Sequence, residues 1–241
     1  MLRSLCRGLR NLVYPQICLA CKIKLRQPAI DSLVCEKCWR GIKRNIPPFC
    51  SLCGRHLDKH NFSKNCCPDC ARRQPHFDRA LSTASYEGAL KELIHEFKYK
   101  GKDYLGRTLS RLLAEFIREY KVPMEYIDYI VPVPLHTARL RQREFNQAEV
   151  LSRFIAAEFN TALLDNTLVR HKNTRTQAEL EGQERIINVR GSFSVKERAL
   201  LVNKNILLVD DVLTTGATCS EAAYALKKAG AGIVFALTLA N

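Results

Sequence analysis

The 241-residue sequence holds no apolar run near the roughly 18 residues that cross a bilayer, and its opening, MLRSLCRGLRNLVYPQIC, never builds the uninterrupted apolar core of an export signal. No membrane span and a cytoplasmic location are therefore expected. Acid is missing from the first ten residues, which carry three arginines. That pattern imitates an organelle transit peptide, but the same letters suit a short amphipathic or nucleic-acid-facing helix, which is the favoured reading. The P-loop pattern G-x-x-x-x-G-K-[ST] is absent, which argues against a nucleotide hydrolase. Nor is there a run of aromatics of the kind that stacks single-stranded bases. Beyond position 70 cysteine occurs once, at Cys219, which reads as a small core residue of a helix. Disorder is a poor expectation, because 46% hydrophobic and 26% charged residues are ordinary soluble values.

What is present is unevenly placed. Residues 1–73 carry 15 Lys and Arg against 4 Asp and Glu, whereas residues 74–241 carry 23 against 20. Two modules are expected, a cysteine-rich one over 1–73 and a larger one over 76–241. Eight of the eleven cysteines form four C-x-x-C knuckles: Cys18 with Cys21, Cys35 with Cys38, Cys50 with Cys53, and Cys67 with Cys70. Four thiolates complete a closed tetrahedral zinc site with no open position for a catalytic water, so two structural zinc ions are expected. Sequential pairing leaves 13 residues between knuckles in both halves, which favours two tandem ribbons. A crossed pairing, and Cys66 in place of Cys67, stay open. A disulfide framework competes, but the expected reducing compartment argues for metal. A segment this short draws most of its folding free energy from its metal, with Trp39 and Phe49 expected to pack on the knuckles. Four thiolates on a divalent ion leave a net −2, so the formal +11 of this module falls to about +7. The remaining basic surface suits phosphate backbones and salt-sensitive nucleic-acid binding, or else is a solvated face that scaffolds its neighbour.

From about residue 76 the apolar spacing alternates between helix and strand. Leu90, Leu93, Ile94 and Phe97 recur at helical spacing, as do Leu105, Leu109, Leu112, Leu113, Phe116 and Ile117. YIDYIVPVP reads as a buried strand ended by prolines, followed by a helix with the stripe Ala148, Leu151, Phe154, Ile155 and Phe159. ALLDNTLVR is a weaker strand, and residues 170–190 read as a mobile loop too hydrophilic for a core. NILLVDD and GIVFALTLA are continuous apolar runs of the kind buried on both faces. The helix between them ends at Gly230 with Lys227 and Lys228 in its last turn. Strand, helix, strand in that order implies a parallel α/β unit.

Asp210 and Asp211 fall where such a strand ends, the edge at which open α/β sheets bind ligands. Neighbouring carboxylates there can address a vicinal diol or a hydrated cation. The turn that follows, Thr214, Thr215, Gly216, Ala217 and Thr218, opens a helix whose first amides have no intrahelical partner, and Gly216 lets a ligand approach the backbone. Diol and phosphate side by side describe a phosphorylated pentose. A plain strand-to-helix connection with two capping aspartates is the bland reading. A receiver domain also begins with an acidic pair, but here the pair comes far too late in the chain.

ILLVDDVLTTGAT resembles the phosphoribosyl pyrophosphate (PRPP) motif of type I phosphoribosyltransferases. More narrowly, the chain resembles the ComF family of competence proteins over nearly its whole length. That resemblance rests also on the cysteine knuckles, on FKYKG at 97–101, VPVPLH at 131–136 and FNQA at 145–148, and on the spaced Thr176, Gln177, Leu180, Arg185, Asn188 and Phe193. It implies a type I phosphoribosyltransferase-like parallel sheet with helices on both faces, preceded by a small zinc-ribbon module. Asp210 and Asp211 would hold the ribose hydroxyls and residues 214–218 the 5′-phosphate. Pro134, Leu135 and His136 would begin a pyrophosphate loop, with Arg139, Arg141 and Arg143 as its candidate cations and Arg143 the favoured one. Residues 170–190 would cover the site, with Arg175 and Arg185 touching phosphate oxygens. Magnesium would accompany PRPP, and no nucleophile or base is named. The family pattern Arg-Gly-Phe-Asn-Gln is broken by Glu144, which stands at the glycine position and puts that loop's backbone and charge in question.

The resemblance implies PRPP and single-stranded DNA as ligands, in DNA uptake during natural transformation. The alternatives are a catalytically silent PRPP-sensing adaptor for a competence helicase or recombination mediator, and a nucleobase salvage phosphoribosyltransferase. Residues 76–125 would decide any acceptor.

Overall fold

The computed structural model describes residues 16–25, 32–57, 65–72, 74–99, 101–174 and 182–241. Two short helices, α1 (Glu36–Arg40) and α2 (Pro68–Ala71), belong to the cysteine module. After them come β1 (Arg79–Ala84), α3 (Gly88–Tyr99), α4 (Leu105–Glu119), β2 (Tyr129–Pro132), α5 (Thr137–Arg143) and α6 (Gln147–Phe159). The chain continues through β3 (Ala162–Leu163), β4 (Leu168–Arg170), α7 (Gly182–Val189), β5 (Phe193–Val195), β6 (Ile206–Val212), α8 (Ala217–Lys228) and β7 (Val234–Ala240). Five strands form one parallel sheet in the order β1-β7-β6-β2-β3, while β4 and β5 pair antiparallel by themselves.

The continuous apolar run of β6 has the physical cause expected of a central parallel strand, because both of its faces are covered. Leu207 and Val209 enter one core with Leu237, Leu239 and the buried stripes of α3, α4 and α6. Ile206 and Leu208 enter the other with Ala222, Ala223 and Leu226 of α8. The protein is thus α/β, with helices on both faces of a parallel sheet. Among the described residues no helix is long and apolar enough to cross a membrane.

Three expectations are corrected. ALLDNTLVR is not one strand: β3 joins the main sheet and β4 leaves it to pair with β5. The 170–190 stretch is not all loop outside the core, since Arg170 and Val189 are buried and α7 occupies Gly182–Val189. Within the α6 stripe, Ala148, Leu151 and Ile155 are buried but Phe154 is exposed.

The cysteine module lies along β1, the edge strand of the sheet. Asn45 and Ser85 amides donate to the Thr83 and Lys43 carbonyls at 2.9 Å each, and the Ala80 amide donates to Leu52 at 2.6 Å. Unpaired edge groups are thereby satisfied, which is how sheets avoid open templates. Gly54 permits the contact, since a Cβ there would meet the Ala80 carbonyl at 2.5 Å. Trp39 is buried in the core that holds Cys18, as expected, and Phe49 packs against the same core, tilted against Phe116 and edge-on to Tyr120 of the larger module.

Candidate functional site

Eight of the cysteines form two tetrads, Cys18, Cys21, Cys35 and Cys38, then Cys50, Cys53, Cys67 and Cys70, each with all its sulfurs within 4.8 Å of one another. Pairing is sequential, and Cys67 rather than Cys66 takes part. Zinc bonded to four thiolates at 2.3 Å in a tetrahedron needs sulfurs about 3.8 Å apart. Cys21 and Cys35 sulfurs are separated by 3.8 Å, and those of Cys53 and Cys67 by 3.7 Å. The donor sets fit two structural zinc ions. Both ribbons are built alike: the Cys35 amide donates to Cys18 Sγ and the Cys67 amide to Cys50 Sγ, each at 3.3 Å. The knuckle turn needs a left-handed residue, supplied by Lys22 (φ 62°) in the first ribbon and Gly54 (φ 69°) in the second.

The larger module opens a cleft of about 650 Å³ at the C-terminal ends of β6 and β2. Asp210, Asp211, Thr214 and Thr218 line it, with Pro134, Leu135, Arg139 and Arg143 from the segment after β2. The twin acids sit in unlike surroundings. Asp211 is ion-paired to Lys98 at 2.9 Å. Asp210 accepts from the Asp211 amide at 2.8 Å and from the Cys219 thiol at 3.7 Å. Burial, and then the neighbouring Asp211 charge, push the Asp210 carboxyl up to about 7. Cys219 is buried as expected, and its partner Asp210 was invisible in the sequence.

Gly216 adopts φ 74° at the head of α8, a left-handed turn that a side chain would strain. Thr215 and Gly216 face mainly a smaller cavity of about 120 Å³ behind the turn, bounded on its other side by Cys53, Cys67 and Cys70. Ala217 is buried at the first helical position.

Several motif residues hold the cleft walls rather than facing its space. His136 caps α5 by accepting from the Ala138 amide at 3.2 Å. Asn146 caps α6 and donates to the Val133 carbonyl at 3.1 Å. Gln147, also buried, donates to the Phe97 carbonyl and accepts from Arg143. VPVPLH, FNQA and the start of FKYKG are thus stitched together. Glu144 ends α5 at φ 69°, the glycine-like conformation, and its carboxylate turns toward Gly101: a Cβ on Gly101 would come within 2.6 Å of its Oε2. Glu144 is outside the cleft lining.

Arg141 is exposed and takes no part in the cleft lining. Arg175 lies outside the described residues, as do Thr176, Gln177 and Leu180, while Arg185 falls on α7. Sequence reasoning missed Lys98, Tyr99, His95, Tyr86 and Arg170, all of which line the cleft. FKYKG offered a signal for Lys98 and Tyr99. Arg170 offered none beyond its place at the head of a polar stretch.

Residues 9–77 match the family model of the double zinc ribbon domain. Over 205 residues the chain is 33% identical to competence protein F of Haemophilus influenzae, covering 82% of this chain and 85% of that protein. It is 28% identical to DNA utilization protein YhgH of Salmonella typhi, covering 92% and 96%, and 28% identical to competence protein ComFC of Bacillus subtilis, covering 90% and 91%. Among solved structures, the allosteric regulatory enzyme of purine biosynthesis is similar over 58% of this chain and 25% of its own, at 19% identity and a TM-score of 0.36.

Proposed function

The chain belongs to the competence protein F (ComF) family, and from that premise we propose that its cleft binds PRPP with magnesium while the basic zinc module holds single-stranded DNA during DNA uptake. The observation that supports this reading is one cleft lined together by the twin acids at the end of β6, by Thr214 and Thr218 from the turn into α8, and by Arg139, Arg143 and Arg170. Asp210 and the second oxygen of Asp211 accept from the ribose hydroxyls. The amides at the head of α8 and the hydroxyls of Thr214 and Thr218 take the 5′-phosphate. Arg139 and Arg143 face the diphosphate. Magnesium, an oxygen-seeking ion, would shield the diphosphate charge when bound.

If transfer occurs, these residues position the sugar and neutralise the leaving group, and no protein nucleophile is required. One observation favours the silent-adaptor reading: Lys98 already engages Asp211, so part of the sugar site is occupied by the protein's own charge. Pyrophosphate release separates the two, since turnover with any acceptor supports transfer and binding without turnover supports an adaptor for a helicase or recombination partner. A salvage reading requires a nucleobase to be consumed together with PRPP.

A crystal soaked in PRPP and magnesium tests the site itself. The expected density puts the ribose diol against Asp210 and Asp211 and the 5′-phosphate on residues 214–218. A ligand bound elsewhere, or a cleft that stays closed to it, sinks the reading.

A further inference from the structure

Arg170 ends β4 and is 6% exposed, yet it lines the cleft. Its Nη2 donates to Thr174 Oγ1 at 2.5 Å and its guanidinium lies 5.4 Å from the centre of the Phe193 ring. Its Nε is enclosed and has no hydrogen-bond partner. Burial, then the Arg139 charge, lower its pKa to about 10, which leaves it a cation at neutral pH; Asp210 opposes that shift and Arg143 adds to it.

A buried cation is costly unless it is paired and fully hydrogen-bonded. Arg170 has one neutral acceptor, one ring face and the like charges of Arg139 and Arg143, with the Asp210 carboxylate opposing them but not hydrogen-bonded to its Nε. That arrangement is poor for an isolated fold and suited to receiving an anion. Three guanidinium groups exceed what a single phosphate balances, whereas a diphosphate offers several oxygens to their planar forks.

Resting on the PRPP reading above, we propose that Arg170 is a binding residue of the cleft. Its guanidinium, together with Arg139 and Arg143, receives the diphosphate end of the sugar and sets a preference for a diphosphorylated over a singly phosphorylated pentose. A strut role, tying Thr174 to β4, makes opposite predictions for stability and selectivity.

The test titrates inorganic pyrophosphate, PRPP with magnesium, and ribose 5-phosphate into the zinc-loaded wild type, Arg170→Met and Arg170→Lys, with thermal melts of each protein without ligand. Arg170→Met is expected to weaken PRPP and pyrophosphate by about 10- to 100-fold, the range for hydrogen bonds to charged groups. Ribose 5-phosphate should change by less than about twofold, and Arg170→Lys should fall between. Without ligand, Arg170→Met should melt no lower than the wild type, because it removes a buried charge from like neighbours. A lower melting temperature with an unchanged PRPP to ribose 5-phosphate ratio overturns the proposal in favour of the strut. If the wild type binds pyrophosphate but neither sugar phosphate, the pentose reading falls, and the pyrophosphate affinity of Arg170→Met alone still decides the role of Arg170. Should none of the three bind, both fall.

Discussion

Asp210 is held at the end of a buried strand, next to a second carboxylate, by the residues that make the cleft. Its carboxyl titrates near 7 in the folded protein against about 4 when exposed. The folded state therefore binds more protons than the unfolded chain between those values, and stability falls as pH rises through that window. Asp210→Asn should melt higher than the wild type, by a margin that grows from pH 5 to pH 8 and is at least about 2–4 °C at pH 8, the worth of 1 kcal/mol in a chain of this length. Thermal melts of both proteins across that range check it, and a margin that does not change with pH would show that Asp210 is not strained by its site. The acidic pair was legible in the sequence because it ends a continuous apolar run and leads straight into a Thr- and Gly-rich turn that opens a helix. Arg170 was not, because burial of a polar residue depends on what folds over it, here Phe193 of β5.

Elements were legible where their burial is one-sided or total. The stripes of α3 and α4 follow from periodicity, and β6 and β7 from short continuous apolar runs. The 162–170 stretch was not, since two strands that part company at a turn share one apolar pattern, and only partner strands separate them. The tie between the second zinc ribbon and the Gly216 turn was likewise hidden. Phe77 is buried among Cys50, Cys53 and Cys67 and lies under Gly216, where a Cβ would stand 3.7 Å from its ring. The His76 amide donates to Ser220 Oγ of α8 at 3.0 Å. The second ribbon thus braces the turn. Replacing Cys50 and Cys53 with serine should halve the zinc content and weaken PRPP binding by about tenfold or more, a loss of at least about 1.4 kcal/mol. Calorimetry beside metal analysis reads both quantities, and full affinity with one zinc would dismiss the brace.

At the scale of the whole molecule, the cysteine module covers the sheet edge and contributes side chains to both cores. Ion pairs reinforce the join: Lys22 meets the buried Glu96 of α3 at 2.7 Å, and Arg44 meets Glu115 of α4 at 2.7 Å. The module thus lies along the edge of the larger unit that carries the cleft. A partition of charge along the chain was visible in the sequence, but the shared packing was not, because no local pattern states which surfaces meet.

Calorimetric titration of PRPP with magnesium tests most directly the proposed sugar-phosphate site at the twin-acid edge and the Gly216 turn. Zinc-loaded wild type and an Asp210→Ala, Asp211→Ala double variant are compared, each with and without single-stranded DNA. One saturable site is expected in the wild type and at least about a hundredfold weaker binding in the variant, as loss of charged hydrogen bonds to a ligand entails. Equal affinity in the two proteins would contradict that site.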